Sequence, residues 1–126
     1  MTIPNWFRQR NMRKRHNAPV IDGQFLKMKY VNQPLGLWED DPFYGEEVDN
    51  VFGKQMLFYT DGLNEAENPN KELLGNKRLL ELMANAKSLS AEAVVDMLKV
   101  AVEKHRNGVE PNDDLTLLCL TLIKQM

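Results

Sequence analysis

The chain has 126 residues, enough for one small domain with a real core, and its 43% hydrophobic and 27% charged residues are the make-up of an ordinary soluble protein. A single cysteine, Cys119, excludes an internal disulfide. No apolar run is long enough to span a bilayer and the N-terminus lacks the apolar core of a signal peptide, so the cytoplasm is the expected location. The net charge of −2 hides an asymmetry: residues 1–17 hold Arg8, Arg10, Arg13, Lys14 and Arg15 and no acid, while acids outnumber bases in the rest. No aromatic–basic repeat accompanies these cations. A solvated tail is therefore expected rather than a nucleic-acid surface, with Trp6 and Phe7 as its only docking features.

In chain order, residues 18–21 and 24–31 flank Asp22-Gly23 and predict a β-hairpin, because Asp-Gly suits a tight two-residue turn. Residues 32–37, with Pro and Gly, read as a loop, and the acidic stretch 38–43 as irregular. Residues 45–51 alternate weakly and predict a strand. Phe52-Gly53-Lys54 turns the chain into a strand over 55–60, and 62–70 reads as a loop with a turn at Asn68-Pro69-Asn70. Two helices follow. The first covers 76–86, with Leu79, Leu80, Met83 and Ala86 on one face. The second covers 91–106, with Ser90 as N-cap, Gly108 past its end, and Val94, Leu98, Ala101 and His105 as its buried stripe. His105, in the last turn, complements the helix dipole. Residues 115–123 are apolar on both alternating faces, the pattern of a strand in the middle of a covered sheet, which also makes Cys119 a buried, inert thiol. Strands, then two helices, then a strand indicate an α+β fold with helices packed on a sheet.

Two acidic positions stand at strand ends. Asp61 closes the strand over 55–60, and Asp113-Asp114 opens the last one. If these strands are antiparallel neighbours, the carboxylates converge at one rim of the sheet. Converging carboxylates repel unless a cation neutralises them, and hard ions such as magnesium or manganese take such oxygens. Gly62 leaves the backbone beside Asp61 uncrowded. Each motif alone reads as a turn or loop, and the alternating acids of a calcium-binding loop are absent.

Taken together and in order, Pro34-Leu35-Gly36-Leu37, Phe52-Gly53-Lys54, Tyr59-Thr60-Asp61-Gly62-Leu63-Asn64-Glu65-Ala66, Leu74-Gly75 and Asn112-Asp113-Asp114-Leu115-Thr116-Leu117-Leu118 resemble the C-terminal half of a SpoIIE-like, RsbU-like domain of the metal-dependent PPM protein phosphatases. The resemblance covers residues 16–124. It implies part of an α-β-β-α sandwich and hydrolysis of phosphoserine or phosphothreonine by water that two Mn2+ or Mg2+ ions hold and activate. It also implies substrates of the anti-sigma-factor antagonist type. Asp61 inherits the role of a metal ligand, Asp113 that of a second, with Gly62 as a further member of the site and Asp114 as second choice to Asp113.

The chain departs from the family in lacking the earlier strands that carry an Asp and an Asp-Val-Ser/Gly step, among them the Asp that bridges the two ions. Residues 1–15 read as a basic leader unrelated to the family. His16-Asn17-Ala18-Pro19 keeps only the end of its Asn-Ala-Gly-His-Asn/Pro-Pro loop, making His16 a structural remnant. The expectation is a truncated domain with 16–126 as its family part, a weak or empty metal site, and exposed sheet surface that drives homo-oligomerisation. The alternative is an inactive remnant that serves as a binding or self-associating module.

Overall fold

The computed structural model describes residues 17–27, 39, 42, 44–45 and 47–123. The basic leader, His16, the Pro34–Leu37 loop and most of the acidic stretch after it lie outside the described residues. The elements are β1 (Val20–Ile21), β2 (Gln24–Phe25), β3 (Gln55–Tyr59), α1 (Asp61–Asn64), α2 (Gly75–Ala84), α3 (Ala91–Arg106) and β4 (Leu117–Thr121). The strands form one antiparallel sheet in the order β2-β1-β3-β4, an α+β arrangement.

The hairpin forms where Asp22-Gly23 predicts it. Both residues have positive φ, 52° and 80°, which is what a tight turn between right-twisted strands demands. Its second strand ends at Phe25, beyond which Leu26 N–H adds one more bond to the Pro19 carbonyl at 2.8 Å. Gly23 also packs on the end of α2, where an added Cβ would come within 2.7 Å of Lys87 Cε. Val20 pairs with Leu57 and Leu57 with Cys119, so one side chain from each of three strands points to the same face. That face carries Leu57 and Tyr59 into a core shared with Leu63, Ala66, Leu74, Leu79, Met83, Val94, Leu98 and Val102.

Several expectations need correction. Tyr44, Gly45 and the described residues 47–51 form no strand; Asn50 takes a left-handed φ of 59°, which breaks extended pairing. The expected loop over 62–70 begins instead with the single turn α1, followed by a small Glu67–Leu73 bridge. The Asn68 side chain closes that turn by accepting from the N–H groups of Asn70 and Glu72. Helix α2 ends at Ala84 rather than at residue 86. The carbonyls of Ala86 and Leu89 in the connection accept from the amide of buried Gln55, at 3.0 and 3.2 Å, which ties the segment after the helix to β3.

Helix α3 has the expected bounds. Ser90 Oγ accepts from Ala93 N–H, and Asn107 in the left-handed region closes the helix just before Gly108. Its buried stripe is Val94, Leu98, Val102 and Arg106, a strict four-residue repeat. Ala101 and His105 sit half-buried on its flank. Strand β4 is shorter than expected and, among the described strands, stands at the sheet edge rather than its middle. Leu117 and Cys119 face the helices, while Leu118 on the opposite face is 56% exposed. The second apolar face that suggested a central strand is real; Met56 is buried on it, while Phe58, Leu118 and Leu122 are exposed.

Candidate functional site

The rim where β3 ends and β4 begins is made by two short segments. Tyr59 pairs with Leu117, so Thr60 and Thr116 stand opposite one another just past the strands. Thr60 N–H donates to the Thr116 carbonyl at 3.1 Å and extends the ladder by one bond. The Thr60 carbonyl does not take the return bond; it turns into α1 and accepts from Leu63 N–H at 3.0 Å. The Thr60 hydroxyl substitutes for it, accepting from Thr116 N–H at 3.0 Å and donating to the Asp114 carbonyl at 3.2 Å. One further bond joins the segments, from the Asn112 amide to the Glu65 carbonyl at 3.1 Å.

Asp61 is the first residue of α1 and half-buried. Its Oδ1 is buried with no hydrogen-bond partner. A carboxylate oxygen in that position costs free energy until a donor or a cation satisfies it. Asp113 is exposed, and its Oδ1 accepts from Asp114 N–H at 2.8 Å. Asp114 offers an exposed side chain and uses its carbonyl for Thr60. Gly62 is buried directly beneath: a Cβ there would overlap the Asp114 carbonyl, so the two segments meet backbone to backbone only because residue 62 has no side chain. Asp61, Gly62, Asp113 and Asp114 thus share one rim of the sheet.

The donor set suits a hard divalent ion: carboxylate oxygens, one of them buried and unpartnered. It is also small. Among the described residues no group of three or more His, Cys, Asp or Glu side chains is placed to hold a metal. Two carboxylates leave most of a six-oxygen shell to water.

Neighbouring groups are tied up elsewhere. The Tyr59 hydroxyl donates to the Ala18 carbonyl at 3.0 Å. Burial, and secondarily the Asp61 carboxylate, pushes its pKa up to about 12, so it stays a neutral donor at physiological pH. His105 Nε2 lies 2.9 Å from the Glu72 carbonyl, which can only accept, so this nitrogen carries a proton and the ring fastens α3 to the turn after α1. Cys119 is half-buried on the core face, and burial raises its pKa.

Two cavities, of about 590 and 510 Å³, lie between α2 and α3 and beside the hairpin. None of the four rim residues lines either one. Sequence reasoning missed Thr60 and Asn112; the signal for Thr60 was a hydroxyl at the last position of a strand directly before an acid.

A family model described as stage II sporulation protein E (SpoIIE) matches residues 16–123. Protein IcfG of Synechocystis sp. is 27% identical over 103 residues, covering 80% of this chain and 16% of that protein. The structure of the SiaA-PP2C domain of Pseudomonas aeruginosa superposes with a TM-score of 0.70 at 17% identity, over 84% of this chain and 43% of that one. At that identity the likeness is one of fold. The chain spans less than half the length of each of these two relatives.

Proposed function

Because the chain belongs to the SpoIIE family, we propose that it carries one side of a metal-dependent phosphoserine/phosphothreonine protein phosphatase site, with Asp61 and Asp113 as ligands of Mn2+ or Mg2+. The observation that carries this reading is the buried, unpartnered Oδ1 of Asp61 on a rim strapped to the Asp113 loop. Asp114 is the second choice to Asp113. Gly62 belongs to the site by letting the loop close on Asp61. A bound divalent ion supplies a water of lowered pKa and screens charge on a phosphoryl group. The protein's part is to fix two carboxylates at the end of a rigid sheet. The proposed partners are phosphoproteins of the anti-sigma-factor antagonist type, met in the cytoplasm; no helix among the described residues is long and apolar enough to cross a membrane.

A second reading, of a catalytically inactive module that binds a partner or itself, is favoured by the small donor set and by the apolar outer face of the sheet. Manganese titration of the chain, followed by paramagnetic broadening of its amide NMR signals, tests the site. We expect weak binding that broadens residues 60–63 and 112–115 and is lost in both Asp61→Asn and Asp113→Asn. Equal broadening in the wild type and both variants removes these residues from the site. With a phosphoserine peptide as substrate, the isolated chain is expected to turn over negligibly. A manganese-dependent turnover that vanishes in Asp113→Asn would mean that other residues of this chain complete the shell, and would exclude the module reading.

A further inference from the structure

The geometry points to Thr60 as the positioning residue that holds the Asp113 loop against Asp61, an inference that rests on the metal-site reading above. Between α3 and β4 the chain runs from Asn107 to Thr116 outside any helix or strand. Asp113 and Asp114 are exposed there, and what fixes them relative to Asp61 is a short list of bonds to residues 60–65. The Asn112 amide makes one. Thr60 makes three, through its N–H and through both hydrogen-bonding functions of its hydroxyl.

One oxygen can play both hydroxyl roles because it has a donor hydrogen and acceptor lone pairs. The arrangement solves a conflict at the strand end. The Thr60 carbonyl is needed in two places, by the ladder to β4 and by the first turn of α1. It goes to Leu63, and the hydroxyl of the same residue restores the ladder. The remaining hydroxyl hydrogen then pins Asp114, whose carbonyl lies directly on Gly62. The β-branched side chain restricts χ1, so the oxygen is held in place rather than found by rotation. The loop that carries Asp113 is thereby held beside Asp61 by Thr60, which ligates nothing itself, with the Asn112 amide adding one bond. Groups that orient metal ligands in this way typically contribute about 10- to 100-fold to affinity.

The test is the manganese titration applied to Thr60→Val, which keeps the shape and removes the hydroxyl, and to Thr60→Ser, which keeps the hydroxyl. Each is compared with the wild type under conditions where circular dichroism shows it folded. The expected result is affinity reduced about 10- to 100-fold in Thr60→Val and close to wild type in Thr60→Ser, together with faster hydrogen exchange at the Thr116 amide in Thr60→Val alone. Thr60→Ala makes the same comparison if valine prevents folding. A hydroxyl-free variant that is folded and binds manganese like the wild type overturns the inference while leaving the metal site standing. Wild-type broadening that Asp61→Asn leaves unchanged removes the metal site, and the inference with it.

Discussion

Cys119 shows how one residue reports on the layer it sits in. It pairs with Leu57 across β3 and β4 and points toward the helices, against the buried core. Burial raises its pKa, because the thiolate is poorly solvated there. The linkage has a definite sign. A pKa higher in the folded than in the unfolded chain favours the folded state at pH values below the ordinary thiol range. That contribution is lost as the pH rises through the raised, folded value. Alkylation of Cys119 at pH 8 is therefore expected to run more slowly than alkylation of free cysteine, and urea should abolish the difference. Rates equal to those of free cysteine in the folded chain would show that β4 separates from the helices readily. Replacing Cys119 by alanine should flatten the part of the stability curve above pH 8 that belongs to the thiol.

Among the elements, α3 is the best specified. Ser90 accepts from Ala93 N–H, the last turn carries Lys104, His105 and Arg106, and Asn107-Gly108 ends the helix with two positive φ values. Ser90→Ala should lower stability by about 1 kcal/mol in denaturant unfolding. An unchanged midpoint would mean that packing of Val94, Leu98 and Val102 on the sheet alone fixes the start of the helix. These signals are local, and for that reason the sequence alone places α3 and the Asp22-Gly23 hairpin correctly. What it does not place is set by residues distant in the chain. The Thr60 carbonyl is released from the ladder and serves the turn α1, and the segment after α2 is tied to β3 by Gln55, whose amide reaches carbonyls 31 and 34 positions away. The candidate site divides in the same way. Asp61 and Asp113 are legible as acids at strand ends. Thr60 and Asn112 bond across 54 and 47 positions, and no spacing rule over a single strand or loop reaches so far.

At the scale of the whole molecule the sheet has two unequal faces. One is closed by α2 and α3. On the other, alternation along β3 and β4 places Met56, Phe58, Leu118, Leu120 and Leu122, with no charge among them; Met56 is buried, but Phe58 and Leu122 are each 40% exposed and Leu118 is 56% exposed. Beside this face β4 is the edge among the described strands, and its five residues Leu117–Thr121 carry no charge to discourage pairing with another chain. Apolar surface in water costs about 25 cal/mol per Å², so covering a few hundred Å² between two copies yields several kcal/mol toward association, before the cost of immobilising the partners is deducted. The 126-residue chain is therefore expected to form a homodimer or larger assembly through this face at tens of micromolar concentration, measured by sedimentation velocity. Leu118→Glu, which puts a charge at the centre of the face without touching the core, should shift it to monomer while leaving the circular dichroism spectrum unchanged. A monodisperse wild-type monomer at those concentrations would defeat the expectation. A dimer that persists in Leu118→Glu would place the contact elsewhere, with the β4 edge the first surface to probe.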